Sequence, residues 1–118
     1  MTQNDALQNL MQELRRGTLV IGVLSQLYEP EYGYSLVQKL NDSGMSIDQG
    51  TLYPLLRRLE KQGLLDSTWE VEEPRPRRYY QLSKMGLEAL EALKEEWKTL
   101  VSTMNLMLSL ESEEAQLR

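Results

Sequence analysis

Asp48-Gln49-Gly50-Thr51-Leu52-Tyr53-Pro54-Leu55-Leu56-Arg57-Arg58-Leu59-Glu60-Lys61-Gln62-Gly63, residues 48–63, reads as one amphipathic helix with two chemically different sides. Asp48 can cap it by accepting from a free backbone N–H, and Gly63 stops it. Leu52, Leu55, Leu56 and Leu59 fall at i, i+3, i+4 and i+7, the spacing of a buried face. At about 100° per residue the opposite side carries Gly50, Pro54, Arg57 and Lys61, flanked by Tyr53 and Arg58, and no acid lies in that outer stripe. Pro54 has no N–H for the carbonyl of Gly50, so the first turns should be loosened.

Upstream, Leu7, Leu10, Leu14, Ile21, Leu24 and Tyr28 follow a 3-4 spacing, widened by Met11, Val20 and Leu27, and predict a first helix ended by Glu29-Pro30-Glu31. A short second helix is expected from Tyr34 to about Asn41, with Leu36, Val37 and Leu40 on one face. Asn41-Asp42-Ser43-Gly44 then supplies turn chemistry. Downstream the period changes to two: Leu65, Ser67, Trp69 and Val71 alternate with Asp66, Thr68 and Glu70, as in a half-buried strand. Arg77 to Leu82 is its partner, with Tyr80 and Leu82 sharing the inner face. The prolines in Glu72-Glu73-Pro74-Arg75-Pro76 make that segment a hairpin tip.

Ser83 can cap a last helix in which Leu90, Trp97 and Met104 take one heptad position and Leu93, Leu100 and Met107 another, broadened by Leu87, Val101 and Leu108. A helix of this length cannot bury the whole stripe inside one small domain, and a two-fold partner would cover it. The expected architecture is mainly α with a small β-hairpin wing. A winged helix-turn-helix spans residues 1–83, its first helix also contributing to dimer packing, and a dimerisation helix with an acidic tail, fraying from Glu111, spans 84–118.

The 118 residues allow one domain plus an appendage, and 41% hydrophobic with 26% charged residues is an ordinary folded composition. No apolar run reaches the roughly 18 residues of a membrane span, and the first residues do not resemble a secretion signal, so the expected location is the cytoplasm, away from membranes. The chain has no cysteine and no histidine. That removes disulfides, thiol catalysis, zinc-finger ligation and the commonest general base, so neither an enzyme nor a cofactor or metal site is expected. The net charge of −5 is unevenly spread: residues 57–84 carry seven basic and five acidic side chains, whereas the segments on either side are both net acidic.

From Gly50-Thr51-Leu52-Tyr53-Pro54 through Arg57-Arg58-Leu59-Glu60-Lys61-Gln62-Gly63-Leu64-Leu65, the chain resembles the recognition-helix signature of the PadR family of transcription regulators. Arg16-Gly17-Thr18-Leu19, Tyr32-Gly33-Tyr34, Trp69, and Arg77-Arg78-Tyr79-Tyr80-Gln81-Leu82-Ser83 leading to Gly86 extend the likeness over roughly residues 15 to 100. The resemblance implies a homodimeric repressor that binds an inverted repeat in double-stranded DNA and releases it on an effector. Two positions depart from the family pattern: Gln49 stands where many members have proline, and Pro74-Arg75-Pro76 replaces a glycine-rich wing turn.

Chemistry then suggests roles. Gly50 either lets a phosphate approach the helix N-terminus or serves turn geometry. Thr51 and Tyr53 can donate hydroxyls to phosphate, Arg57 suits a guanine edge and Lys61 the backbone. Arg58 reaches DNA or pairs with Glu60 or Glu29. Tyr34 and Tyr79 contact phosphate or pack, and Gln49, Arg75, Arg77 and Arg78 complete the DNA-facing set. The dimer seam comprises Leu90, Leu93, Trp97, Leu100, Met104 and Met107. Trp97 either packs there, its N–H reaching a carboxylate such as Glu96, or with Met104 lines a cleft for a small planar apolar ligand. An alternative is a winged-helix adaptor without DNA binding, presenting Glu70, Glu72 and Glu73 to a protein.

Overall fold

A computed structural model describes residues 3–72 and 74–110. Along the chain it runs α1 (Gln3–Ser25), β1 (Glu31–Tyr32), α2 (Gly33–Asp42), α3 (Gln49–Lys61), β2 (Leu65–Glu70), β3 (Arg77–Leu82) and α4 (Lys84–Met107). The strands form an antiparallel sheet in the order β1-β3-β2, with Tyr79 and Tyr80 opposite Tyr32 and Glu31 on one side and Thr68 and Ser67 on the other. This is a winged helix-turn-helix followed by one long helix. The core gathers Val23, Leu24 and Leu27, Leu36 and Leu40 of α2, the four leucines of α3, Leu65, Tyr80, Leu82 and Leu90.

The turns after α2 and α3 each contain a glycine in the left-handed region. At the end of α2, Gly44 has φ 97°; its N–H donates to Asn41 O at 3.0 Å and that of Met45 to Leu40 O at 2.9 Å. Asn41 ties the turn further: its amide donates to the carbonyls of Val37 and Ile47, both at 2.8 Å, and its oxygen accepts from Ile47 N. At the end of α3, Gly63 has φ 85°, and Gly63 N and Leu64 N donate to Glu60 O and Leu59 O at 2.9 and 3.0 Å. The same loop anchors α4. The Ser83 hydroxyl donates to Gly63 O at 2.7 Å and accepts from Gly86 N at 3.0 Å, as a helix cap does.

Five features differ from the reading of the sequence. First, α1 ends at Ser25, after which the N–H groups of Gln26 and Leu27 bond three residues back, so Tyr28 lies beyond the helix and its hydroxyl accepts from Lys94 Nζ at 2.9 Å. That bond, together with Glu91, holds the Lys94 ammonium above its ordinary range. Second, only the second half of α1 is packed; Leu7, Leu10, Met11 and Leu14 are exposed, because that end of the helix runs past the core. Third, the wing has a third strand, β1, which was too short to show a period. Fourth, Trp69 and Val71 are exposed, since β2 leaves the helices behind after Ser67. Fifth, Leu90 is fully buried within the protomer and Leu93 packs against its core, because the start of α4 lies on α1 and β3. Leu90 is therefore a core residue rather than part of an exposed seam. From Trp97 onward the seam is open, with Trp97, Leu100, Met104 and Met107 exposed. Glu73 and the acidic tail from Glu111 lie outside the described residues.

Gly86 tests this frame. A Cβ there would stand 2.0 Å from the carbonyl oxygen of Leu64, a backbone atom that cannot step aside. Gly86→Ala should gain at most about 1 kcal/mol of helix propensity and lose about 3 kcal/mol to overpacking, so the net effect is destabilising. Denaturant unfolding should show an earlier midpoint; an unchanged one would mean that α4 is not held this closely.

Candidate nucleic-acid interface

With its leucines sunk in the core, α3 presents Gln49, Gly50, Thr51, Arg57, Arg58 and Lys61 to solvent. The side chains of Arg57, Arg58 and Lys61 make no hydrogen bond or ion pair among the described residues, so the alternative in which Arg58 pairs with Glu60 or Glu29 is not formed. Asp48 caps the helix as anticipated, its Oδ1 accepting from Thr51 N at 2.8 Å. Gly50 has no positive φ, and a Cβ there would meet only Asp48 Oδ1, at an ordinary 3.4 Å. Turn geometry therefore does not require a glycine at that position. α3 is continuous through Pro54, which sits inside it and faces solvent. Tyr53 is half-buried: its ring lies so close to the start of α2 that a Cβ on Gly33 would be 2.2 Å from it.

The wing divides its three arginines. Arg75 at the tip is exposed and makes no hydrogen bond or ion pair among the described residues. Arg77 lays its guanidinium 4.7 Å from the ring centre of Tyr32, which stacks on Tyr34 at 6.4 Å and meets the edge of Tyr79 at 5.7 Å. Arg78 turns inward instead. Its Nη2 donates to Glu60 Oε1 at 2.7 Å and its Nε to Ser67 Oγ at 3.1 Å, while the Ser67 hydroxyl donates to the other oxygen of Glu60. The same guanidinium lies 5.4 and 5.7 Å from the ring centres of Tyr80 and Trp69. Burial pushes the Tyr80 phenol up, with the Arg78 charge pulling against it, so the phenol stays protonated at neutral pH.

Between α3 and the wing lies an open cleft of about 380 Å³, lined by Tyr53, Arg57, Trp69 and Arg77 among others. The structure thus brings Arg57 of α3 and Arg77 of the wing to one cleft, with the exposed Tyr34 stacked on Tyr32 at its edge, but gives Arg78 an internal partner. Two residues escaped the sequence reading. Tyr32 centres the aromatic cluster, and only the Tyr-Gly-Tyr pattern hinted at it. Glu60 is the one acid of α3 and was weighed only as a partner for its neighbour Arg58.

Residues 20–92 match the family model described as the transcriptional regulator PadR-like family. A PadR family transcriptional regulator from Eggerthella lenta DSM 2243 is 48% identical and superposes with a TM-score of 0.82, over 89% of this chain and 94% of that one. The transcriptional regulator Rv3488 of Mycobacterium tuberculosis is 38% identical over 81 residues, 68% of this chain and 76% of that protein. Bacillus subtilis PadR, whose structure is a complex with operator DNA, shares the fold at 18% identity and a TM-score of 0.60, over 64% of this chain and 45% of that one.

Proposed function

Since the chain belongs to the PadR-like family of transcriptional regulators, we propose that it acts as a homodimer that reads an inverted-repeat operator in double-stranded DNA and represses transcription there. Membership makes it a regulator of transcription and not an enzyme. The observation that carries the DNA reading is the row of unpaired cations on the outer side of α3. Arg57, Arg58 and Lys61 are exposed and uncompensated on a helix whose other side is fully committed to the core. Such a helix fits the major groove, with the wing lying over the adjacent backbone or minor groove. The neighbouring fold in Bacillus subtilis PadR holds operator DNA, which is in keeping with this reading.

The individual roles follow from side-chain chemistry. Arg57 reads a base edge and Lys61 a phosphate. Thr51, Gln49 and the Gly50 backbone meet the DNA at the N-terminus of α3, while Tyr34, Arg77 and Arg75 meet it from the wing side. The adaptor alternative requires wing carboxylates to cancel Arg75, Arg77 and Arg78. Only Arg78 has an ion-pair partner among the described residues, and that partner is Glu60 of α3. Dimerisation would cover Trp97, Leu100, Met104 and Met107, and the exposed first half of α1 offers a second apolar strip. A planar apolar effector would find Trp97 and Met104 as its wall only between two copies, so release by a ligand depends on the dimer. No helix among the described residues is long and apolar enough to cross a membrane, and a DNA-bound regulator would work in the cytoplasm.

The direct test is selection of genomic fragments by the purified protein: recovery of fragments sharing an inverted repeat supports the reading, and recovery without sequence preference refutes it. Leu100→Glu, at a site 47% exposed and outside the core, should give folded monomers by sedimentation; an unaltered dimer would place the interface elsewhere. Arg57→Ala should cost roughly 1–3 kcal/mol per base contact and relax preference at one position of each half-site, whereas Lys61→Ala should weaken all sequences alike. For the dimer, losing the Lys61 contacts should make the log–log salt slope shallower by about 1.8. Arg75, fixed between Pro74 and Pro76, should contribute most on A·T-rich flanks, whose narrow minor groove attracts arginine. Equal binding of Arg75→Ala and wild type on both A·T-rich and G·C-rich flanks would make the tip a solvated turn.

A further inference from the structure

We infer that Glu60, Ser67 and Arg78 are positioning residues: a clasp that fixes the wing against α3 and so sets where the wing meets DNA relative to the half-site. This rests on the DNA-binding reading above. Each residue comes from a different element, Glu60 from the last turn of α3, Ser67 from β2 and Arg78 from β3. Their bonds close a ring. Arg78 Nη2 donates to one oxygen of Glu60, Ser67 Oγ donates to the other, and Arg78 Nε donates back to Ser67 Oγ. Every side-chain orientation in a closed ring is determined by the other two, which a single ion pair between flexible chains does not achieve.

Three observations set this ring apart from an incidental surface pair. The side chains of Arg78 and Glu60 are 34% and 27% exposed, and the guanidinium also lies within cation–π distance of the Trp69 and Tyr80 rings. It is the only ion pair between α3 and the wing among the described residues. Its Arg78 also lines the cleft that carries Arg57 of α3 and Arg77 of β3, the groups proposed to touch DNA from either side. A part-buried pair of this kind makes a modest contribution to global stability, while the three bonds of the ring together bias the wing toward one placement. Its consequence is geometric: it holds the wing in register with α3 and withholds Arg78 from phosphate.

The test uses the full-length protein and two operator duplexes with the same half-sites but A·T-rich or G·C-rich flanks. Glu60→Ala and Arg78→Gln should both keep half-site preference and reduce flank discrimination by at least about threefold; Arg78→Gln should keep the salt slope, whereas Glu60→Ala, which frees the Arg78 cation, should give a slope no shallower than that of the wild type. The exchange Glu60→Arg with Arg78→Glu should restore that discrimination. Ser67→Ala, the mildest change, should move it in the same direction and covers the case in which a charge variant fails to fold. Several results would overturn the inference. A shallower salt slope for Arg78→Gln, by about 1.8 for the dimer, would make Arg78 a direct phosphate contact. Unchanged flank discrimination in all single variants, or an exchange that restores thermal stability alone, would make the ring a structural brace. A wild type that binds DNA without flank preference leaves the clasp nothing to position and refutes it. A wild type that binds neither duplex refutes the DNA reading itself, and the clasp with it.

Discussion

Leu52, Leu55, Leu56 and Leu59 sink together into the core, and a helix that buries those four has no rotational freedom left. Turning α3 by one residue would expose leucine and bury arginine, at a cost of several kcal/mol for each uncompensated charge. The outward direction of Arg57 and Lys61 is thus a consequence of apolar burial on the other side. The helix ends then fix its position along its axis. Asp48 holds the first turn, the left-handed Gly63 ends the last, and Asn41 ties down the turn that delivers the chain from α2. The backbone that carries these side chains is placed before any partner arrives, so the ordering left to oppose binding is that of the side chains themselves.

What could be read from the sequence was whatever had a period or a capping residue. The α3 stripe, the Asp48 and Ser83 caps and the pairing of Leu65–Glu70 with Arg77–Leu82 all carry local signals and stand in the structure. β1 did not, since two residues cannot show alternation, and with it the aromatic cluster around Tyr32 stayed hidden. The alternation of β2 was real but misled on burial: a strand period says which side chains share a face, not how far along the strand that face remains covered. Trp69, 58% exposed, marks the point at which the cover ends. The Arg78–Glu60 pair spans 18 residues and two elements. Charge patterning along one helix had offered Arg58 as the neighbour of Glu60, and only the tertiary fold shows that the wing supplies the partner instead.

The long helix illustrates the same limit. Its heptad pattern is continuous, yet Leu90 belongs to the protomer and Trp97, Leu100 and Met104 to its surface. A period cannot tell a core from an interface when one helix passes from the first to the second. What divides them is the anchorage of α4: Gly86 against the Leu64 carbonyl, and Ser83 bonded to the Gly63 carbonyl. Those two contacts join the start of α4 to the end of α3 through a loop of fixed shape. In the proposed dimer the separation of the two reading helices would therefore follow from the seam along α4, with no independent hinge between them, and half-site spacing would be a property of the α4 pairing.

The acidic total also finds its place. At physiological salt, charges separated by more than about 8 Å are largely screened from one another, so a phosphate at the α3 surface responds to its neighbours and hardly to the net −5 of the chain. Those neighbours include Arg57, Arg58 and Lys61 on the outer stripe of α3, with the Asp48 cap at its start, while on the wing Arg77 stands across the strands from Glu70. Carboxylates of α4 are in part already paired, Glu91 with Lys94 and Glu95 with Lys98. A protein charged in this way is attracted to a duplex through one face and repelled through its others. Wrong orientations are disfavoured at encounter, and non-specific binding is weaker than for a uniformly basic domain carrying the same cations. The clasp acts within this scheme. By neutralising Arg78 internally it removes one cation from the sequence-independent attraction and uses it to set the geometry of the rest, which favours discrimination between sites over affinity for DNA in general.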